Sequence, residues 1–451
     1  MLAQTPTLAD TLKHRCQRLA DQVNFPCVIW AGYAPQRNFP ANRYRFRANS
    51  HFLYFAGIPL EGAAIVIDRG RLMLFVDEPK PSAALWHGST PSREHIAAQM
   101  GAVAAYPLAE LDKYLDEAAV LPSQSNRPWL NLPERKIPEY FDQRFVEAVI
   151  NLRLTHDEVA IAQIQTAAQV SMAAHRAGMA ATSTASTEAD IRAAMEAKII
   201  SHNMTCAYNS IVTVHGEVLH NEQYCHSLKA NDLLLADVGA EAASGWASDI
   251  TRTWPVKGQF SPTQRAIYDV VLAAHDACID AVRPGVEYQQ IHLQAAHVIA
   301  EGLVDLGILK GNPEELIMRD AHALFFPHGI GHLLGLDVHD MEDLGDLAGY
   351  EPGRSRSPRF GLSYLRLNRP LRENMAITIE PGFYQVPAIL NDPQRREIYR
   401  DVIDWDCLAH FSDVRGIRIE DDVLVTSSGA NVLTEKLPTA AAAIEALVQT
   451  V

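Results

Sequence analysis

Three histidines, His328, His332 and His339, fall within twelve positions, in a stretch punctuated by Gly329, Gly331 and Gly335. A neutral imidazole is both a metal ligand and a proton carrier near neutral pH. His328 and His332 would share one helix face, but the two glycines between them make a helix poor. The stretch is therefore expected to be bent backbone, brought close to whatever the imidazoles touch. Four acids lie where acids are expensive. Asp237 ends the apolar run Leu233-Leu234-Leu235-Ala236, and Asp249 opens Asp249-Ile250-Thr251-Arg252-Thr253. Glu380 follows Ile377-Thr378-Ile379, and Glu420 follows Ile417-Arg418-Ile419. A buried carboxylate needs a cation, hydrogen bonds or a proton.

Two strands joined by a turn would set Asp237 beside Asp249, where bare carboxylates repel and a divalent cation relieves them. The plainer readings are an Asp249–Arg252 pair and an Arg418–Glu420 surface pair. The second is weakened by Val423-Leu424-Val425, which continue an apolar strand. With His332, the four acids form an oxygen-rich set of charge about -4, which balances two divalent cations. Such a pair can activate a shared water and clamp an oxyanion. His220, His328 and His339 then remain for proton transfer and oxyanion stabilisation.

These residues need an α+β framework. Thr155-His156-Asp157-Glu158 is a capping box opening a helix to about residue 179. Thr187 and Asp190 open a second helix, to about residue 202, and Ser261-Pro262-Thr263-Gln264 a third, ending before Pro284-Gly285. A fourth runs over about 288–306. With strands between and after them, residues 155–451 are expected to fold as one domain, a sheet covered by long helices on one side. Residues 1–154 form a first, α/β domain. It has a helix over 7–23, a strand over 25–31, and strands 62–67 and 71–76 joined by Asp68-Arg69-Gly70. His51 and His87 are isolated there and read as structural. Residues 122–138, rich in Pro, Asn and Ser, read as loops.

Composition narrows the class. The net charge of -15 argues against a nucleic-acid partner, which calls for basic patches. No apolar run is long enough for a membrane span, and the N-terminus lacks a signal-peptide pattern. Six cysteines without metal or redox spacing read as reduced thiols of a cytoplasmic protein.

The order Asp237, Asp249, His332, Glu380, Glu420 resembles the two-metal "pita-bread" proline peptidases, the Xaa-Pro aminopeptidases and Xaa-Pro dipeptidases (prolidases). The likeness runs from about residue 155 to the C-terminus. It is carried by Tyr208-Asn209-Ser210-Ile211-Val212, Asp249-Ile250-Thr251-Arg252-Thr253, His328-Gly329-Ile330-Gly331-His332, Ile379-Glu380-Pro381-Gly382 and Gly416-Ile417-Arg418-Ile419-Glu420-Asp421. More weakly, residues 49–67 and 74–88 resemble the aminopeptidase P-type N-terminal domain.

The resemblance implies several roles. Asp237 and Asp249 would be chelating and bridging aspartates, His332 and Glu380 ligands of one metal, and Glu420 the bridging glutamate. Glu380 would also be the base, His220, His328 and His339 would contact substrate, and Arg418 would support the ligands. It further implies peptide substrates with proline second and a homodimer or larger homo-oligomer. Manganese suits the oxygen-rich set, with cobalt or zinc as alternatives.

Eleven residues separate Asp237 from Asp249, one more than the family usually has, and a bulge near Ser244-Gly245 is expected. The segment from Tyr208 to His220 is also shorter than usual. Residues 360–371 resemble the prolidase segment whose arginine grips a dipeptide's carboxylate, which places Arg366 there and makes dipeptidase the first reading and aminopeptidase the alternative. Arg354, Arg356 and Arg359 read as a solvated basic loop. A pita-bread module without catalysis, or a metal-free creatinase-type hydrolase, would each lack part of the ligand set.

Overall fold

The computed structural model describes residues 7–80, 82–121 and 137–449. All but the end of the loop expected at 122–138 lies outside them. The chain divides into two compact units. One comprises the residues up to Val159 with Asp343–Gly345, the other Ala160–Glu342 and the residues from Asp346 on.

The first unit is built on a mixed five-stranded sheet, in the order Ala104–Tyr106, Arg71–Phe75, Ala64–Asp68, Cys27–Trp30, Ala119–Val120. The two middle strands form the expected hairpin. Its turn residues Arg69 and Gly70 have φ of 49° and 75°, the double positive φ of a tight hairpin turn that follows the strand twist. Thr7 and Asp10 cap the helix Leu8–Ala20 reciprocally. Residues 50–56, aromatic and without helical periodicity, form a short, wholly buried helix capped by Asn49. His51 is buried and accepts from Arg153 Nη1 at 2.8 Å. His87 is exposed.

Four long helices dominate the second unit: Glu158–Ala181, Glu188–Ser201, Pro262–Ala281 and Tyr288–Asp305. Thr187 and Ser261 close capping boxes on the second and third. The first two pack Val170, Ala174, Ile191 and Met195 against Val212, Leu234, Ala236 and Trp254 of the sheet. Pro262–Ala281 packs on Ala376–Ile379, Gly382–Tyr384 and Gly416–Arg418.

The sheet itself is broken into short pieces. Leu233–Asp237 runs antiparallel between Ile211–Thr213 and Thr251–Pro255. Ala376–Ile379 pairs with Asp421–Val425, and Gly382–Tyr384 with Gly416–Arg418. The strand Ala376–Ile379 thus ends at Glu380, before Pro381, and the run expected to continue through Glu420 into Val423-Leu424-Val425 is interrupted at that glutamate. Glu380 N–H donates to Ile330 O (2.8 Å) and Glu420 N–H to Thr251 O (3.0 Å). Each glutamate sits where the backbone changes partners, so its side chain leaves the sheet at the break. The extra residue between Asp237 and Asp249 is absorbed by a turn in which Gly245 takes a φ of 92°, a conformation that suits glycine.

Candidate active site

The glycine-rich histidine stretch is bent, as expected, at His328, Ile330 and again over 335–339, and its middle part runs beside the strand Ala376–Ile379. His332 O accepts from Thr378 N at 3.0 Å, and His332 N–H donates to Thr378 Oγ1 at 3.2 Å. It thus lies along the strand that leads to Glu380. A Cβ on Gly331 would overlap the Thr378 carbonyl and the Tyr288 hydroxyl, so a side chain there would push His332 away from the acids. His332 Nδ1–H donates to Leu333 O at 3.0 Å. That fixes the tautomer and leaves the Nε2 lone pair directed at Asp249 Oδ2 (3.5 Å) and Glu380 Oε1 (3.6 Å). Burial pushes this imidazole down to about 4, so it is neutral at pH 7, the form that binds a metal.

Asp249, His332 and Glu420 each offer a ligand atom within 4.8 Å of the others. Asp237 joins them through Tyr208, whose hydroxyl lies 2.5 Å from both Asp237 Oδ1 and Asp249 Oδ1. Asp237 Oδ2 accepts from Arg418 Nη2 at 2.6 Å. Thr251 Oγ1 donates to Glu420 Oε2 at 2.6 Å and accepts from Arg418 Nε at 3.0 Å. Burial pushes the carboxyls of Asp249, Glu380 and Glu420 well above the usual range. The neighbouring acids push further, Asp237 on Asp249, Glu420 on Glu380 and Asp249 on Glu420. This donor set fits divalent cations, which would relieve the repulsion that burial concentrates.

Of the plainer pairings, the Asp249–Arg252 pair is replaced by Arg252 with Asp421 Oδ1 (2.7 Å). Arg418 does lie 4.0 Å from Glu420 Oε2, but as a buried pair and not a surface one.

The acids open onto a cleft of about 510 Å³ whose lining includes His220, His339, Tyr364 and Arg366. The His339 ring packs edge-on against His332, centroids 4.2 Å apart. Burial, then His332, pushes His339 down to about 4. His220 is pushed down by burial and then by Arg418. His328 is more engaged than a free substrate contact would be. Its Nδ1–H donates to Gly329 O (2.8 Å) and its Nε2 accepts from the Tyr384 hydroxyl (2.9 Å), which in turn accepts from Arg418 Nη1 at 2.9 Å.

Arg366, expected to grip a dipeptide's carboxylate, is paired within the chain. Its Nη1 donates to both carboxylate oxygens of Glu342, at 2.9 and 2.8 Å. Nor is the basic loop simply solvated. Arg354 and Arg359 pair with Glu287 and Asp320, and Arg356, paired with Asp346, lines the cleft. Tyr208, Thr251, Tyr384 and Glu342 had no assigned role in the sequence. Tyr208 and Thr251 each lie inside a motif that carries the resemblance; Tyr384 and Glu342 carried no such signal.

Comparison with known proteins agrees with this geometry. Residues 162–427 match metallopeptidase family M24, and residues 12–125 match the aminopeptidase P N-terminal domain. A protein of Pyrenophora teres f. teres named probable Xaa-Pro aminopeptidase is 33% identical over 402 residues, 86% of this chain and 84% of its own. The structure of Pseudomonas aeruginosa aminopeptidase PepP superposes with a TM-score of 0.79 at 29% identity, covering 99% of both chains. Zn-substituted E. coli aminopeptidase P in complex with product gives 0.77 at 26% identity, again over 99% of both. These relatives are aminopeptidases, so they favour the second of the two readings of the sequence over the dipeptidase. The chain belongs to metallopeptidase family M24 and carries an aminopeptidase P N-terminal domain.

Proposed function

We propose that this metallopeptidase is an Xaa-Pro aminopeptidase, releasing the first residue of peptides whose second residue is proline. The observation that carries the choice of aminopeptidase over dipeptidase is the Arg366–Glu342 pair. The cation that would grip a dipeptide's free carboxylate already has a carboxylate on it. The names of the relatives support the same choice.

Asp237, Asp249, His332, Glu380 and Glu420 would hold two divalent ions. Manganese suits their oxygen-rich character, and cobalt or zinc could also bind. Bound there, the ions would supply Lewis acidity, activating water and polarising the scissile carbonyl. Glu380, whose carboxyl burial and Glu420 keep ready to hold a proton, would take the proton of the attacking water and pass it to the departing proline nitrogen. His339 and His220, both held neutral, would donate hydrogen bonds to the substrate from the cleft wall. Arg418 would fix Asp237 and, through Tyr384, His328. Six free cysteines support the cytoplasmic reading, and a homo-oligomer stays part of the proposal.

The test is kcat/KM on Ala-Pro against Ala-Pro-Ala with manganese supplied. The tripeptide is expected to be the better substrate, and a clear preference for the dipeptide would return the reading to prolidase.

A further inference from the structure

Glu342, which is none of the expected ligands or proton carriers, pairs with two residues that line the cleft, Arg366 and His339. Both its oxygens accept from Arg366 Nη1, and its Oε2 faces His339 Nδ1 at 3.4 Å. The Arg366 and Glu342 side chains are 34% and 38% exposed, and a solute that reaches Arg366 in the cleft meets a cation already paired with a carboxylate. Burial alone would raise the Glu342 carboxyl, but the hydrogen bond from His339 and the charges of His339 and Arg366 outweigh it and bring it to about 2. At neutral pH the pair is therefore one cation and one anion with no net charge.

We propose that Glu342 is a specificity-determining residue: its carboxylate occupies Arg366 in the place of a substrate's C-terminal carboxylate, and so biases the cleft against free Xaa-Pro dipeptides. This rests on the aminopeptidase reading above. An Xaa-Pro dipeptide ends in a carboxylate directly after the proline. Approaching Arg366, that carboxylate finds the cation neutralised and a like charge within hydrogen-bonding distance of it. Like-charge juxtaposition is a strong means of excluding a wrong partner. A longer peptide presents an uncharged amide at the same place, which the neutral pair does not repel. Without Glu342, the guanidinium would regain its full charge and its planar fork would suit a carboxylate.

The test compares alanyl-proline with alanyl-proline amide, two substrates that differ by one charge at that position. Each is assayed with manganese on the parent, Glu342→Gln, Glu342→Ala and the double variant Glu342→Ala/Arg366→Ala. The acid-to-amide ratio of kcat/KM within one variant cancels any difference in the fraction of active protein. Glutamine retains an oxygen for Arg366 and His339 but no charge, so a shift shared by both Glu342 variants reports the charge. The ratio is expected to rise about tenfold or more in both single variants and to return to the parent value in the double variant. A ratio unchanged in both single variants, or a rise that survives loss of Arg366, overturns the inference and leaves the peptidase reading standing. A parent that cleaves neither substrate nor Ala-Pro-Ala overturns the peptidase reading and the inference with it.

Discussion

Tyr208 places one hydroxyl between two carboxylates, 2.5 Å from each, but an O–H can donate to only one acceptor at a time. The other contact is favourable only if that carboxyl carries a proton or if a cation draws both acids elsewhere. Tyr208→Phe keeps the ring and removes the orienting hydroxyl. Loss of such a ligand-orienting partner typically weakens metal affinity by about 10–100-fold. Manganese titration of the variant by calorimetry should show a weaker dissociation constant, and an unchanged one would reduce Tyr208 to packing. His339 makes the complementary case. It packs edge-on against His332 but belongs to the cleft wall, so His339→Ala should retain metal while kcat falls by about 10²–10⁴-fold. Metal analysis and turnover on one preparation check both halves, and parental kcat would remove His339 from catalysis. The four acids stood out because an acid at the end of an apolar strand demands an explanation, and the structure gathers them with His332 around one cleft. Their supports did not, because Thr251 and Tyr384 are ordinary residues whose role is set by distant partners. Thr251 meets Glu420 across 169 positions and Tyr384 meets His328 across 56. Arg366 was placed at the cleft by its motif, but its charge partner Glu342, 24 positions earlier, lay in no quoted motif.

Two helices were readable from their caps. Thr187 and Ser261 each take a reciprocal bond with the residue three positions on, a signal contained within one turn. The helix expected to open at the Thr155 box starts instead at Glu158. Pro381-Gly382 marked the end of the strand at Glu380, but the break at Glu420 was not readable, since alternation of side chains continues across a change of backbone partner. The loop that carries His220 shows how an element can serve the site from behind. Glu188, wholly buried in the first turn of the helix Glu188–Ser201, grips both stems of that loop. Its Oε1 accepts from Val214 N–H (2.8 Å) and Thr213 Oγ1 (3.0 Å), and its Oε2 from His226 N–H (3.1 Å) and His226 Nδ1 (2.9 Å). Glu188→Ala would leave buried donors unpaired, at about 1–3 kcal/mol each, and release the loop. Urea unfolding should show the stability loss, and kcat should fall with it. In a His220→Ala background the stability loss should persist while the further loss of kcat disappears, the signature of two residues acting as one unit. Equal kcat losses in both backgrounds would disconnect the clamp from His220.

At the scale of the whole molecule, the catalytic unit gathers residues from across its length. Asp249, His332 and Glu420 come from separate elements, and Arg252 ties the strand after Asp249 to the Glu420 segment by donating to Glu420 O (2.7 Å) and Asp421 Oδ1 (2.7 Å). The order of the acids and histidine along the chain was enough to place it in its family, but no local pattern could reveal this convergence. Its energetic consequence is a fold under tension in the absence of cations. The carboxyls of Asp249, Glu380 and Glu420 are all raised, first by burial and then by one another. A carboxyl raised in the folded state binds more protons there than in the unfolded chain. Its contribution favours the fold at low pH and is lost as pH rises through the raised value. Metal-free protein should therefore lose stability at these positions as pH rises. Metal binding displaces the same protons, so its apparent affinity strengthens over that range. Saturating metal adds roughly 2.7 kcal/mol at a hundred times its dissociation constant, so the gain tracks affinity. The rise in Tm from chelated to manganese-loaded protein should be larger at about pH 8 than at about pH 5, where protons compete for the carboxylates. Thermal melts at the two pH values, each with chelator and with excess manganese, measure it directly. An increment that is flat with pH, or larger in acid, would mean that these carboxylates are not where the metal binds.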